Sequence, residues 1–346
     1  MIYFNSDYLE GAHQSILDLM QKTNLEQTPG YGEDFYCDKA RELIQKACDD
    51  RDAYVQFLVG GTQTNMTVIS SILRPHQGVL SAHTGHINVH ETGSIESYGH
   101  KVLAVPSADG KISAAQVREE VLKHREDPSH EHMVQPAMVY ISHPTEVGTS
   151  YSKKELTELS EACKELGLYL FMDGARLAYG LAASDSDLDL PTIAKLTDVF
   201  YIGGTKCGAL MGEAVVITNP ELKKDFRYII KQKGAMLAKG RLLGLQFIGL
   251  FEDGLYERVG KHAIGLADKL RASLKEMNIP LYQENTTNQI FVILEDTLVE
   301  TLSKEFSLCY IERVDATHSV QRICTSWATT EAQIDALLEA LRAHTA

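Results

Sequence analysis

No stretch of this 346-residue sequence is long and apolar enough to cross a membrane. Its most apolar run, LLGLQFIGLF from Leu242, is far shorter than the roughly 20 residues a span needs, and Gln246 interrupts it. It reads as a buried helix. The six cysteines, Cys37, Cys48, Cys163, Cys207, Cys309 and Cys324, form no C-x-x-C pair and suggest no disulfide framework. A reduced, cytoplasmic setting is expected. Positive charge is in deficit: 33 Lys and Arg face 47 Asp and Glu, for a net charge of -14. That balance argues against nucleic acid and against an anionic membrane surface as partners, because both repel it. It leaves room for a local basic pocket. The opening MIYFNSDYLEGAHQ lacks the basic-then-apolar pattern of a secretory signal. Glycine fingerprints are incomplete as well. VGGTQTN, from Val59, lacks the third glycine of a dinucleotide fold, which sets aside a Rossmann dehydrogenase, and GGTK at Gly203 lacks the upstream glycine of a P-loop. There is no internal repeat and no low-complexity linker.

The hydrophobic content, 44%, is ample for a core, and the length suits about two domains. Short apolar runs alternate with amphipathic segments through the middle of the chain. GVLSA from Gly78, KVLAVPS from Lys101, MVYIS from Met138, YLFMD from Tyr169, VFYIGG from Val199 and AVVIT from Ala214 read as buried strands. Ser113 with Gln116, and Ser152 with Glu155, fit capping boxes that start intervening helices. Such alternation predicts an α/β fold, a mostly parallel sheet with helices on its faces. After Lys223 a long helical region is followed by strands in NQIFVIL, SLCYIERV and SVQRICTSW, then a helix capped by Thr330 with Gln333. This predicts a smaller α+β unit. The expected division is an N-terminal arm and large domain over 1–240 and a small domain over 241–346.

Several residues stand where chemistry is done. Lys206, in YIGGTKCGA, follows a predicted strand. It reads either as an exposed loop lysine or as a desolvated one, whose amine is then nucleophilic. Asp173 ends YLFMD, and carboxyl ends of parallel strands are where α/β sheets place ligands. It is either a helix cap or a buried carboxylate in want of a cation, such as the pyridinium nitrogen of pyridoxal phosphate (PLP). Gly60, Gly61 and Thr62 precede a predicted helix at about Gln63 to Leu73, an arrangement that attracts phosphate. His83, His86 and His90 are disfavoured as a metal site, with no cysteine nearby and two glycines breaking the loop. One imidazole stacked on a flat ligand, or ordinary surface histidines, are the remaining readings. DSDLDL at Asp185 fails as a calcium loop, because Leu190 and Leu196 occupy its glycine and glutamate positions. No metal is expected. Arg176 follows Asp173 by three residues, and Arg322 lies in an otherwise apolar strand, where an arginine wants a carboxylate partner such as a substrate's. KQKGAMLAKGR from Lys231 is a basic patch in an acidic chain, read as an anion site or a solvated helix face.

Taken in order, GGTQTN, HINVHETG, FMDGARLAYG and YIGGTKCGALMGEAVV resemble the threonine aldolase and β-eliminating lyase family of fold-type-I PLP enzymes. NSDYLEG and PGYGEDFY are similar to that family's N-terminal signature. The resemblance implies the PLP-dependent transferase-like fold, with a mostly parallel, seven-stranded large domain and a smaller α+β domain. It implies that Lys206 carries the cofactor as a Schiff base, that Asp173 holds the pyridine nitrogen, and that Gly61 and Thr62 hold the phosphate. His86, in the pattern H-x-x-x-x-E-x-G, matches the imidazole stacked over the ring. Arg176 and Arg322 match arginines around the substrate carboxylate, Ser6 a serine beside it, and Tyr31 a tyrosine near the site. The partners implied are a small amino-acid substrate and three further copies of the chain, a homotetramer built as a dimer of dimers with sites at subunit interfaces. Two positions depart from the pattern. Glu146, in HPTEVG, stands where many members carry a second histidine, and Leu237 where an arginine near the phosphate is common. The implied reaction cleaves a β-hydroxy amino acid, threonine or allo-threonine, to glycine and an aldehyde, with His86, Glu146 or a water between them as base. β-Elimination on the same scaffold is the alternative. A catalytically idle amino-acid or PLP-binding protein is the reading outside enzymes, and the intact lysine, aspartate and arginine set argues against it.

Overall fold

A computed structural model describes residues 1–345 of the chain. Thirteen strands occur in chain order: β1 (Ile2–Tyr3), β2 (Tyr54–Leu58), β3 (Gln77–Ala82), β4 (Val102–Val105), β5 (Gln135–Ser142), β6 (Tyr169–Asp173), β7 (Val199–Gly203), β8 (Glu213–Ile217), β9 (Leu281–Gln283), β10 (Gln289–Glu295), β11 (Phe306–Ser307), β12 (Cys309–Arg313) and β13 (His318–Cys324). Seven of them form one sheet in the order β2-β8-β7-β6-β5-β3-β4. β8 is antiparallel to both its neighbours, and the other pairings are parallel. The six apolar runs expected to be strands all lie in this sheet.

Both faces of the sheet are buried, which explains the near-continuous apolar runs. Alternation within each run divides two cores. Val139, Ile141, Leu170, Met172, Phe200, Ile202, Ala214 and Val216 pack on one side. Met138, Tyr140, Phe171, Val199, Tyr201, Val215 and Ile217 pack on the other. The capping boxes at Ser113 and Ser152 form as expected, each with both reciprocal bonds. Thr330 and Gln333 exchange the same pair of bonds at the start of the last helix. Among the described residues no helix is long and apolar enough to cross a membrane.

The second unit is an antiparallel sheet, β12-β13-β10-β9, with the last helix packed on it. The long helical region divides into Arg241–Phe251 and Leu255–Glu276, broken at Gly254, which takes the left-handed φ of +67° that favours glycine. Leu243, Phe247 and Leu250 of the first helix pack in the large-sheet core. In the second, Leu255 to Ile264 belong to that core, while Leu266 to Leu274 belong to the core of the small sheet. The chain therefore changes cores within this helix, later than the expected division at 240/241. The apolar stripe of this helix runs on unbroken from one core to the other, so the sequence carries no mark of the change. The N-terminus joins the small unit as well: β1 pairs with β11, and Phe4 lies in its core.

Candidate active site

The strand order brings the carboxyl ends of β6, β7 and β5 together at the middle of the sheet. Asp173 closes β6, Glu146 follows β5, and Lys206 follows β7. The antiparallel β8 enters at the same edge, so Glu213 pairs with Gly203 on one side and Leu58 of β2 on the other. β2 then leads into Gly60–Thr62. The loops after β6 and β7 touch closely: a Cβ on Gly203 would sit 2.3 Å from the Ala175 carbonyl oxygen, so only glycine fits. Between these loops lies a cavity of about 280 Å³, lined by Gly60, Gly61, Thr62, His86, Glu146, Asp173, Arg176, Lys206 and Glu213, with Tyr8, Ser142, Pro144, Ala175, Tyr201 and Thr205.

Asp173 forms the fixed point of this cavity. Its Oδ2 accepts from Tyr140 at 2.6 Å and Asn65 Nδ2 at 3.0 Å; its Oδ1 accepts from Tyr201 at 2.5 Å and the Ala175 N–H at 3.0 Å. Burial opposes ionisation, but the His86 charge and the bonds from Tyr140, Tyr201 and Asn65 outweigh it and lower the pKa. The result is a buried carboxylate held ionised by the nearby His86 charge and by neutral donors on both its oxygens. No Lys, Arg or His nitrogen lies within 4 Å of it among the described residues.

The Lys206 carbonyl accepts from the Tyr179 hydroxyl at 2.5 Å, but the Lys206 Nζ makes no hydrogen bond and no ion pair among the described residues and lies 5.8 Å from the centre of the Tyr8 ring. Burial, then the Arg176 charge, lower its pKa against the pull of Asp7, Asp173 and Glu213. Glu213 is buried too, accepts the Gly204 N–H at 3.1 Å, and is pushed up to about 8, chiefly by burial. Arg176 is clamped by Asp7, with Nε–Oδ2 at 2.6 Å and Nη2–Oδ1 at 3.0 Å. Asn288 adds a third donor to Asp7 at 2.9 Å. Although burial of Asp7 opposes it, Arg176 holds that carboxyl down at about 2.

His86 Nδ1 meets Glu91 Oε1 at 2.8 Å, and its backbone N–H donates to Glu146 Oε1 at 2.8 Å. Ser142 donates to the same Glu146 oxygen at 2.5 Å. Burial and the nearby Asp173 charge raise the Glu146 pKa, against the Ser142 bond.

The helix Gly61–Ile72 starts with no side-chain cap. Its first backbone bond runs from Thr64 to the Gly60 carbonyl, leaving the N–H groups of Gly61, Thr62 and Gln63 without acceptors among the described residues. A Cβ on Gly61 would stand 3.0 Å from the Tyr201 hydroxyl.

Of the ten residues to which the resemblance gives a role at the site, seven line the cavity: Lys206, His86, Asp173, Glu146, Gly61, Thr62 and Arg176. Ser6, Tyr31 and Arg322 do not. Ser6 is buried, one residue before Asp7, with an Oγ that has no partner among the described residues. Arg322 reaches back across the chain to the Asn5 carbonyl at 3.1 Å and to Gln289 at 3.2 Å. Tyr31 is half-exposed, with Lys231 Nζ 4.3 Å from its ring centre. No cluster of metal-ligating side chains occurs among the described residues. Glu91 is the glutamate of the H-x-x-x-x-E-x-G pattern, whereas nothing in the sequence assigns a role to Asp7, Asn65, Tyr140, Tyr201 or Glu213. The tyrosines look like strand core, and only the adjacency of Asp7 to Ser6 in NSDYLEG hinted at a role.

Comparison with known proteins agrees with this geometry. Residues 4–297 match the beta-eliminating lyase family. The low specificity L-threonine aldolase of Pseudomonas sp. (strain NCIMB 10558) is 32% identical over 98% of this chain and 97% of its own length. The solved structure of Leishmania major threonine aldolase is 45% identical, covers both chains fully and superposes with a TM-score of 0.98. A Thermus thermophilus aspartate aminotransferase, at 13% identity, shares the fold with a TM-score of 0.71 over 99% of this chain and 91% of that one. With its order of motifs, its seven-stranded sheet and nearly its whole length accounted for, the chain belongs to the beta-eliminating lyase family.

Proposed function

We propose that the protein is a pyridoxal-phosphate-dependent aldehyde lyase that cleaves a β-hydroxy amino acid, threonine or allo-threonine, into glycine and an aldehyde. The observation that carries this reading is one cavity holding a lysine whose amine makes no hydrogen bond among the described residues, an ionised buried carboxylate with no ion-pair partner within 4 Å among them, and a helix start with no side-chain cap. Each lacks a partner that PLP supplies: a carbonyl carbon for Lys206, a protonated pyridine nitrogen for Asp173, and a phosphate for the N–H groups of Gly61 and Thr62. Gly61 fits the phosphate role because its missing side chain lets backbone approach closely. When bound, PLP supplies an electron sink for the pair released as the Cα–Cβ bond breaks.

The protein's own groups divide the remaining work. Asp173 stays ionised and keeps a proton on the nitrogen it faces. Arg176, already oriented by Asp7, presents its remaining guanidinium edge to the substrate carboxylate, with Arg322 and Ser6 behind it. His86 covers one wall of the cavity. The β-hydroxyl proton passes to Glu146 or to the His86 imidazole. The chain works as a homotetramer in the cytoplasm, with the Tyr31 and Lys231 region of one copy beside the site of another.

The test is a product assay with purified, PLP-loaded protein on the L and D forms of threonine and allo-threonine. Glycine and acetaldehyde in equal amounts are expected. A second reading, β-elimination, is favoured by the raised pKa of Glu146, because a protonated carboxyl is the acid a departing hydroxyl needs. Formation of 2-oxobutanoate and ammonia in place of glycine would select it.

A further inference from the structure

Glu91 lies outside the cavity lining, is buried, and receives three donors. Its Oε1 accepts from Asn65 Nδ2 and meets His86 Nδ1, both at 2.8 Å, and its Oε2 accepts from Ser94 at 2.6 Å. The same Asn65 nitrogen also donates to Asp173 Oδ2 at 3.0 Å. Asn65 is fully buried, and each of its two N–H bonds goes to a different carboxylate. An amide turned the other way would face both carboxylates with its oxygen, so charge alone fixes its orientation. A four-residue chain, His86–Glu91–Asn65–Asp173, thus runs behind the cavity wall from the imidazole to the central carboxylate.

An ionised carboxylate only accepts. The ring nitrogen facing Glu91 must therefore carry the hydrogen, and Nε2 is left as the free lone pair of a neutral imidazole. Nε2 has no protein partner among the described residues. We propose that Glu91 and Asn65 are positioning residues: Glu91 holds His86 in the Nδ1–H form with Nε2 as the open acceptor, and Asn65 ties that carboxylate to Asp173 while keeping the two charges apart. A carboxylate behind a catalytic imidazole sets its tautomer in the same way in hydrolase triads. The inference deepens the proposed aldehyde-lyase reading and rests on it for the use made of Nε2.

The experiment is a nitrogen–proton correlation spectrum of ¹⁵N-histidine-labelled protein at a pH where His86 is neutral, its signals identified by their loss in His86→Asn. Wild type should show the Nδ1–H form. Glu91→Leu should move His86 toward the Nε2–H form that free histidine favours in water. Glu91→Gln, whose amide oxygen can still accept, should restore it. On threonine, Glu91→Leu should lower kcat about a hundredfold, the scale of a misplaced general base, with KM within about threefold. An Nε2–H signal in wild type would overturn the proposal, whatever the variants do. So would an unmoved tautomer in folded Glu91→Leu. Should Glu91→Leu fail to fold, the wild-type spectrum decides alone. Because the tautomer is read without turnover, inactivity of the wild type on threonine would sink the functional reading and leave this one standing.

Discussion

Among the described residues Lys206 is the one lysine that lines the cavity, and its side-chain amine makes no hydrogen bond there. Lys206→Ala should abolish both the visible absorbance of bound PLP and turnover, checked by spectrum and product assay; full activity would refute the assignment. Asp173→Asn should retain cofactor while losing about a hundredfold or more of kcat, since it removes one preorganised charge. Glu146 permits a sharper division. If it takes the hydroxyl proton, Glu146→Gln should cut aldol cleavage about tenfold or more with the cofactor spectrum intact, and wild-type turnover should rise with pH through the raised Glu146 pKa. If His86 does so, Glu146→Gln changes turnover little and His86→Asn costs far more. Lys206 and Asp173 were legible in the sequence because each ends or follows a strand that its apolar pattern announces. Tyr140 and Tyr201 were not. Their rings satisfy the strand pattern, and only the fold shows that their hydroxyls reach Asp173.

At the level of elements, the N-terminal segment and the loop after β6 are joined through Asp7 and Arg176, 169 positions apart. Spacing could not reveal that pair, for no local period links an arm to a loop in another core. Its consequence for stability has a definite sign. The folded pKa of Asp7, about 2, lies below its ordinary 3.8, so the unfolded chain binds the proton more readily. The stabilisation is full above about pH 4 and is lost as pH falls toward 2, and the shift corresponds to about 2 kcal/mol. Urea unfolding of wild type and Asp7→Asn across that range should show the wild-type slope flattened by that amount in the variant. An unchanged slope would show that Asp7 does not titrate as the buried pair requires. The strands of the large sheet that carry the site were legible to within about three residues at each end, whereas the short β1 and β9 were not. The helix Leu255–Glu276 was legible as a helix, but not as the joint between two cores, because its apolar stripe runs on unbroken while its partners change.

The whole molecule leaves large apolar side chains uncovered. Leu25 is 93% exposed, Tyr228 76% and Phe35 70%. All three lie in or near the segments that carry Tyr31 and Lys231, the region assigned to a neighbouring copy. Sedimentation should therefore find a tetramer. Phe35→Asp with Tyr228→Asp should weaken assembly and lower turnover together, whereas a fully active wild-type monomer would contradict shared sites. The acidic balance argues against nucleic acid and an anionic membrane at this scale, but a surface meant for a second copy has no sequence period of its own.

The reach of the N-terminal arm also sets an order in time. Asn5 meets Arg322 across 317 positions, and Asp7 meets Asn288 across 281. The arm leaves the ribosome long before either partner is made. Throughout synthesis Arg176 can have its clamp, yet Asp7 still lacks Asn288 and β1 lacks β11. The nascent chain can build the large sheet and its row of strand ends, but the Asn288 bond to Asp7 and the Arg322 bond to Asn5, which fix the arm behind Arg176, must wait for the last strands. A ribosome-stalled chain ending before β10 should thus be able to hold cofactor while being unable to grip an amino acid.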